Sequence, residues 1–320
     1  MKYVSKCILC NSINLTNLKR YTTIVQRTIW GTILIEKFLK SDRLNYFICY
    51  CEKCGLLFLN PRFSDEDYKT FNEGEPKKIL TDKGKKYNLK RAERVYKIIT
   101  KNFNPKDREN KIDKPDILDY GGGAGYILHP FINKFNTHLL DFNHWNLDKN
   151  IKYLGQTFSD VKDNKKFDVI LCLRVLEHVN KPKELLQAFK KHLNDDGIIF
   201  LQVPLGCIWE WRGKPHYFVH INYFSSESLY KCFKLAGLNV IDLRIVNLTR
   251  EGGEGLKINI IATNSKKTEI NFSKVISTKR QMSKISYIFL SFLRKKSFEP
   301  KNLMKKLKFL RKRIIKKLIW

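Results

Sequence analysis

The amino-acid sequence predicts an α/β fold, an open and mostly parallel sheet flanked by helices. Three observations carry this. Residues 116–120 form an apolar strand that runs directly into Gly121-Gly122-Gly123-Ala124-Gly125. Residues 167–173 are a near-continuous apolar run, as a strand buried on both faces shows, and a helical period over 182–193 leads to another apolar strand at 198–203. Two further β-rich runs, 238–246 and 256–262, bracket Gly252-Gly253-Glu254-Gly255 and read as an antiparallel hairpin.

Composition bounds what this fold serves. The chain has 320 residues and 43% hydrophobic content, enough for a packed core and too much for overall disorder. No apolar run is long enough to span a bilayer, and the N-terminal stretch lacks a signal-peptide core, so a cytoplasmic protein is expected. The formal charge of +30 points to an anionic partner, although a chain rich in Lys, Asn and Ile also acquires charge by composition alone. The charge is uneven: residues 266–320 hold 18 Lys and Arg against Glu269 and Glu299.

At the front, Cys7-Ile8-Leu9-Cys10 and Cys51-Glu52-Lys53-Cys54-Gly55 have metal-knuckle spacing. Two intervening residues let both sulfurs of a pair face one tetrahedral ion, and disulfides are disfavoured in the cytosol. The expectation is a structural zinc on Cys7, Cys10, Cys51 and Cys54, with its coordination filled. Cys49 is near enough to compete with Cys51, whereas Cys172, Cys207 and Cys232 read as core. The spacer holding Trp30, Ile33, Leu34, Ile35 and Phe38 reads as strands or a hairpin around the metal. Residues 56–60 read as a short strand ended by Pro61, and 85–103 as a helix with Tyr87, Arg91, Val95, Ile98 and Ile99 in period. The expected units are a zinc-binding module over 1–64, a helical connector over 65–112, a catalytic domain over 113–265 and a basic tail over 266–320.

The glycine loop is the most informative segment. Glycines let a ligand approach the backbone, and the helix expected over 126–135 would present free N–H groups. A strand over 137–140 ends in Asp141, placed to accept both hydroxyls of a ribose. The strand at 151–158 shows no clear adenine contact, with Asp160 a candidate. After the 167–173 strand comes Arg174-Val175-Leu176-Glu177-His178-Val179. In this order and spacing, residues 116–264 resemble class I S-adenosylmethionine-dependent methyltransferases, which implies a Rossmann-like seven-stranded sheet. Glycines at 121, 123 and 125 depart from the GxGxxG spacing of nicotinamide enzymes. The resemblance implies that Tyr120, Gly121, Gly123 and Gly125 cradle the cofactor's methionine and ribose. It further implies that Asp119 meets its amino group, that Asp141 holds its ribose, and that Leu173 and Arg174 border its sulfonium. Arg174 departs from the small or polar residue expected there, and a cation beside a sulfonium is unfavourable, so Arg174 is expected to turn outward or toward an anionic substrate.

The cysteine module ahead of such a domain is similar to bacterial methyltransferases of sugars and surface polysaccharides. His216-Tyr217-Phe218-Val219-His220-Ile221-Asn222-Tyr223-Phe224-Ser225 resembles the segment of those enzymes that lies over the acceptor and supplies a histidine. The resemblance implies methyl transfer to a sugar or glycan hydroxyl, with His216 or His220 as base and His178 the other candidate; those relatives that methylate carbon are longer, which favours oxygen here. The bland readings are a loop histidine at 216 and a packed one at 220. Trp209, Trp211 and Tyr217 are candidates for an acceptor platform. Ser225-Ser226-Glu227-Ser228 is a helix start. The alternatives are an RNA methyltransferase and a non-catalytic binding protein that keeps the fold.

In the tail, Leu303, Leu307, Leu310, Ile314 and Leu318 recur at helical spacing among lysines and arginines, with Trp320 at the end. Residues 283–320 therefore read as a basic amphipathic segment suited to an anionic membrane surface, such as the inner leaflet, ahead of a protein partner or RNA. Oligomeric state is not legible.

Overall fold

The computed structural model describes residues 1–24, 43–67, 81–104, 113–142, 144–145, 147–206, 220–247 and 255–265, with 270, 275 and 277. Two sheets organise the described chain. The first is antiparallel, in the order β1-β2-β3-β9, from β1 (Leu15–Ile24), β2 (Arg43–Cys51), β3 (Leu57–Asn60) and β9 (Asn222–Tyr223). The second has seven strands in the order β10-β11-β8-β7-β4-β5-β6. Its parallel centre is β4 (Asp116–Tyr120), β5 (Asn136–Leu140), β6 (Ile151–Gly155), β7 (Phe167–Leu173) and β8 (Leu193–Pro204). The hairpin expected from the glycine cluster is β10 (Asn239–Asn247) with β11 (Leu256–Thr263), and β11 runs antiparallel to β8. This is the expected Rossmann-like seven-stranded sheet with one reversed strand.

Period-two alternation sends β7 side chains to two cores. Val169, Leu171 and Leu173 pack with α1 (Asp82–Asn102), through Ala92, Val95 and Ile99, and with Phe131. Ile170 and Cys172 face the other way, into a core shared by α2 (Pro182–His192), α3 (Ser226–Leu235) and the cysteine module. Phe58, Leu59, Leu201 and Phe233 belong to that one cluster, so the module and the large sheet share an interior. Asp168 ties the sheet's lower edge: Oδ2 accepts from the Asp116 N–H at 2.8 Å and Oδ1 from Asn194 Nδ2 at 2.8 Å.

Helix ends follow their sequence signals. Thr81 caps α1 by accepting from the Gly84 N–H, Pro182 occupies the first turn of α2, and Ser225 with Ser228 forms the capping box of α3. Three boundaries differ from expectation. The helix read over 126–135 is a 3-10 segment, Tyr126–Phe131, because Pro130 inside it cannot donate to an α-helical ladder. The strand read over 151–158 ends at Gly155, where Asp160 caps a 3-10 turn, Phe158–Asp160. Residues 194–197, between the helix read over 182–193 and the strand read over 198–203, are absorbed into β8 beside a register shift opposite Phe167–Val169.

Trp30 and its apolar neighbours, Cys207, the Trp209/Trp211/Tyr217 platform, His216 and the basic tail lie outside the described residues. Among the described residues, no helix is long and apolar enough to cross a membrane.

Candidate active site and metal centre

The four knuckle cysteines converge. Their sulfurs all lie within 4.8 Å of one another, with Cys7 to Cys54 at 3.5 Å and Cys10 to Cys51 at 3.6 Å. Four sulfurs at about 2.3 Å from a tetrahedral ion stand about 3.8 Å apart, so the cluster fits one zinc. The two knuckles are built alike. The Asn11 N–H donates to the Cys7 carbonyl and the Gly55 N–H to the Cys51 carbonyl, each at 2.9 Å. Asn11 (φ 56°) and Gly55 (φ 76°) are both left-handed, which is why Gly or Asn follows each CxxC. The Leu9 N–H points at the Cys7 sulfur. Without a cation the thiols resist joint ionisation. The hydrogen bond with the Cys54 thiol draws Cys7 down to about 5, burial lifts Cys10 to about 11, and Cys54 is raised further through its bond to Cys7. Cys49 does not compete, because its thiol donates to Asn17 Oδ1 at 2.8 Å.

At the carboxyl end of β4 the glycine loop adopts the conformation glycine alone takes readily. Gly121, Gly123 and Gly125 have φ of 76°, 57° and 70°. A Cβ on Gly121 would lie 2.4 Å from Val175 Cγ2, and one on Gly122 would lie 2.3 Å from Asp119 Oδ2. Asp141 braces the loop by accepting from the Gly123 N–H at 2.8 Å. Beneath the loop, Asp119 is 1% exposed, and its Oδ2 has no hydrogen-bond partner among the described residues. Burial pushes its carboxyl up to about 7, Arg91 of α1 pulls it down, and Asp141 pushes it further up. A buried carboxylate oxygen without a donor is costly unless a cation or donor arrives, so this floor fits the ammonium of a bound amino acid moiety.

Sequence reasoning missed several neighbours. Trp145 lies against Gly123, with a ring carbon 3.4 Å from where a Cβ would stand. His144 stacks on Tyr153 at 3.7 Å, and the Tyr153 hydroxyl donates to the Asp141 carbonyl at 3.1 Å. The aromatic cluster just after Asp141 was the available signal. Tyr120 packs its ring between Phe158 and Phe189. Asp160 accepts from the backbone N–H groups of Gln156 and Thr157 at 2.6 and 3.0 Å, so it shapes its own loop.

Beside the loop, at the end of β7, Arg174 is left-handed (φ 67°) and its N–H donates to the Gln202 carbonyl at 2.8 Å. Its half-buried guanidinium helps lower the Glu177 carboxyl, against the larger push of burial. The next turn brings Glu177, His178 and His220 together, with the two imidazoles edge to face at 4.7 Å between centroids. Two of the three predicted histidines therefore share one site, at the carboxyl edge of the sheet where such folds place ligands.

A family model described as a methyltransferase domain matches residues 87–243. Just under half of the chain is thus similar to a methyltransferase domain. The chain also resembles curated proteins named ubiquinone biosynthesis O-methyltransferase. The match to the protein of Rickettsia canadensis is 32% identical over 103 residues, covering 29% of this chain and 44% of that protein. With the Rickettsia akari protein the identity is 28% over 122 residues, covering 35% and 47%. The chain thus spans less than half the length of these relatives. Among solved structures, it is similar to the 1,6-didemethyltoxoflavin-N1-methyltransferase of Burkholderia thailandensis (13% identity, TM-score 0.47, 69% of this chain and 96% of that one). It is also similar to an S-adenosylmethionine-dependent methyltransferase of Clostridium acetobutylicum (14% identity, TM-score 0.39, 58% and 93%).

Proposed function

We propose that the protein transfers the methyl group of S-adenosylmethionine to a hydroxyl oxygen. The observation that carries this is the left-handed glycine loop laid over Asp119, whose buried Oδ2 lacks a donor. The cofactor, when bound, would supply an electrophilic methyl and leave as its thioether, and the acceptor's hydroxyl proton would pass to water. In this chain Asp119 would hold the ammonium. Asp141, next to the loop it braces, would meet the ribose. Leu173 and Arg174 would border the reacting end, and His178 and His220 would face the acceptor. Alignment of oxygen, methyl and sulfur contributes several kcal/mol in such reactions.

We favour a sugar or glycan hydroxyl as acceptor. The cysteine module and the segment before α3, which resemble parts of sugar and polysaccharide methyltransferases, support this reading. The names of the curated relatives favour a second reading, a ring hydroxyl of a quinone precursor. Methyl transfer from radiolabelled cofactor to nucleotide sugars, glycans, hydroxylated aromatic acids and tRNA tests both. Label in the sugar or glycan fractions is expected; label in the aromatic fraction alone selects the second reading, and label in tRNA alone overturns both.

We also propose one structural zinc on Cys7, Cys10, Cys51 and Cys54. Metal analysis should return about one zinc per chain, lost with soluble protein in Cys54→Ser, since such sites contribute on the order of 10 kcal/mol to folding. Full-length, folded Cys54→Ser without zinc would contradict it.

A further inference from the structure

Glu177 is a buried carboxylate to which no neighbouring residue among those described donates. It is 2% exposed, and neither Oε1 nor Oε2 has a hydrogen-bond partner among the described residues. Protonation does not repair this, since a neutral carboxyl would still hold an O–H and a carbonyl oxygen without partners. Two imidazoles stand beside it. His178 Nε2 is 4.0 Å from Glu177 Oε1, too far for a hydrogen bond. One ligand atom each from Glu177, His178 and His220 lies within 4.8 Å of the others. Three ligands at about 2.1 Å from one cation stand roughly 3 to 3.6 Å apart, so closing the triad takes about one to two ångströms at most.

The backbones that carry these side chains are locked to each other. The Ile221 N–H donates to the Glu177 carbonyl at 2.9 Å. Asn222 Nδ2 donates to the carbonyls of Leu176 and Val179 at 3.0 and 2.7 Å. Arg62, 4% exposed, reaches in from the cysteine module: Nη1 and Nη2 donate to Asn222 Oδ1 at 3.1 Å and Nε to Asn180 Oδ1 at 3.2 Å. Asn180 returns a bond to the Phe63 carbonyl at 2.9 Å, and β3 pairs with β9 across Phe58 and Asn222. The turn that carries Glu177 and His178 and the segment just after His220 are thus held by outer groups, as metal sites require.

From these contacts we infer that Glu177, His178 and His220 form a site for a divalent first-row transition cation that holds the acceptor hydroxyl. Two imidazoles and one carboxylate suit Mn2+, Fe2+, Co2+ or Zn2+ and leave open positions for oxygen ligands. The site is next to the cofactor loop, because Val175, two residues before Glu177, packs against Gly121. A cation here lowers the pKa of a hydroxyl that binds it, and the released proton passes to water. This inference rests on the methyl-transfer reading for its role, but its existence is tested without it.

The experiment titrates Mn2+ into the purified full chain, followed by loss of the free-ion electron paramagnetic resonance signal. Thiolates are poor ligands for Mn2+, so the cysteine cluster stays out of the count. The wild type is expected to bind about one Mn2+ per chain with a rise in melting temperature. Glu177→Gln and His220→Ala should each weaken binding at least tenfold and remove the rise. Glu177→Gln relieves a buried charge and should melt no lower than the metal-free wild type; if it fails to fold, His220→Ala, at a partly exposed position, decides. Mn2+ that stays free, or binds undiminished in the folded variants, overturns the site. S-adenosylhomocysteine binding is measured on the same samples. If it binds while Mn2+ does not, the metal site alone fails; if it does not bind to wild type, the methyl-transfer reading fails.

Discussion

Asp119 and Glu177 make an instructive pair. Both are acidic residues near the carboxyl edge of the same sheet, both are almost fully buried, and both are raised by burial. Burial raises the Cys172 thiol, and both carboxylates push it further up. Yet their settings differ. Asp119 sits under a glycine loop with Arg91 opposing its burial, while Glu177 sits in a 3-10 turn with two imidazoles for neighbours. The difference teaches that an unsatisfied carboxylate is only half a site. Its partner is specified by what surrounds it: a glycine loop that lets a ligand approach the backbone for an organic cation, imidazole nitrogens for a metal ion.

The comparison breaks hardest at Gly121. Its φ of 76° and the 2.4 Å approach to Val175 mean that Gly121→Ala must shift the turn that carries Glu177. We expect both halves to fail, with cofactor affinity falling about 100-fold or more, the equivalent of roughly 3 kcal/mol. Gly123→Ala, with only Trp145 at 3.4 Å, should cost about 1 to 2 kcal/mol in backbone strain and spare the Glu177 half. Equilibrium dialysis with the cofactor and with Mn2+ separates the two variants.

Arg62 sharpens the comparison from the other side. Arg62→Ala strips Asn222 Oδ1 and Asn180 Oδ1 of their donors and should destabilise by about 2 to 4 kcal/mol. Turnover should fall about tenfold while cofactor affinity changes less than threefold, because the contacts lie on the Glu177 side. Arg62→Lys should rescue little, since one ammonium cannot serve both amides with the same fork. Equal losses in turnover and cofactor affinity would remove the distinction between the halves.

A separate effect is on stability against pH. Asp119 has its folded pKa raised from 3.8 to about 7, so the native state holds a proton that the unfolded chain releases earlier. Its contribution is full below about pH 4 and is lost as pH rises through about 7, at about 1.4 kcal/mol per pK unit. Asp119→Asn should flatten that part of the wild-type profile in urea melts between pH 4 and 8. An unchanged difference profile would contradict the burial argument.

Much of the Asp119 half was legible in the sequence, because its parts are local. The strand, the glycines and Asp141 lie within 26 residues, and each has a positional meaning. Each knuckle was legible for the same reason. The Glu177 half was less so. Glu177-His178 and His220 stood out, but what locks them is Arg62 bonding to Asn222 across 160 residues and β3 recruiting β9. Those are tertiary pairings between short polar side chains with no periodic signature. Arg91 was visible only as a member of a helical face, and Trp145 only as an aromatic near Asp141. The 3-10 form of Tyr126–Phe131 was within reach, since Pro130 was in view.

The central claim is that Asp119, under the glycine loop, receives the cofactor's ammonium. Calorimetry of S-adenosylhomocysteine binding at pH 7, in two buffers of different ionisation enthalpy, tests it most directly. Because the Asp119 pKa is about 7, the account predicts one ligand per chain with roughly half a proton released on binding. It also predicts that Asp119→Asn abolishes this release and weakens binding about tenfold or more. No binding, or binding whose proton release and affinity are the same in Asp119→Asn, would contradict it.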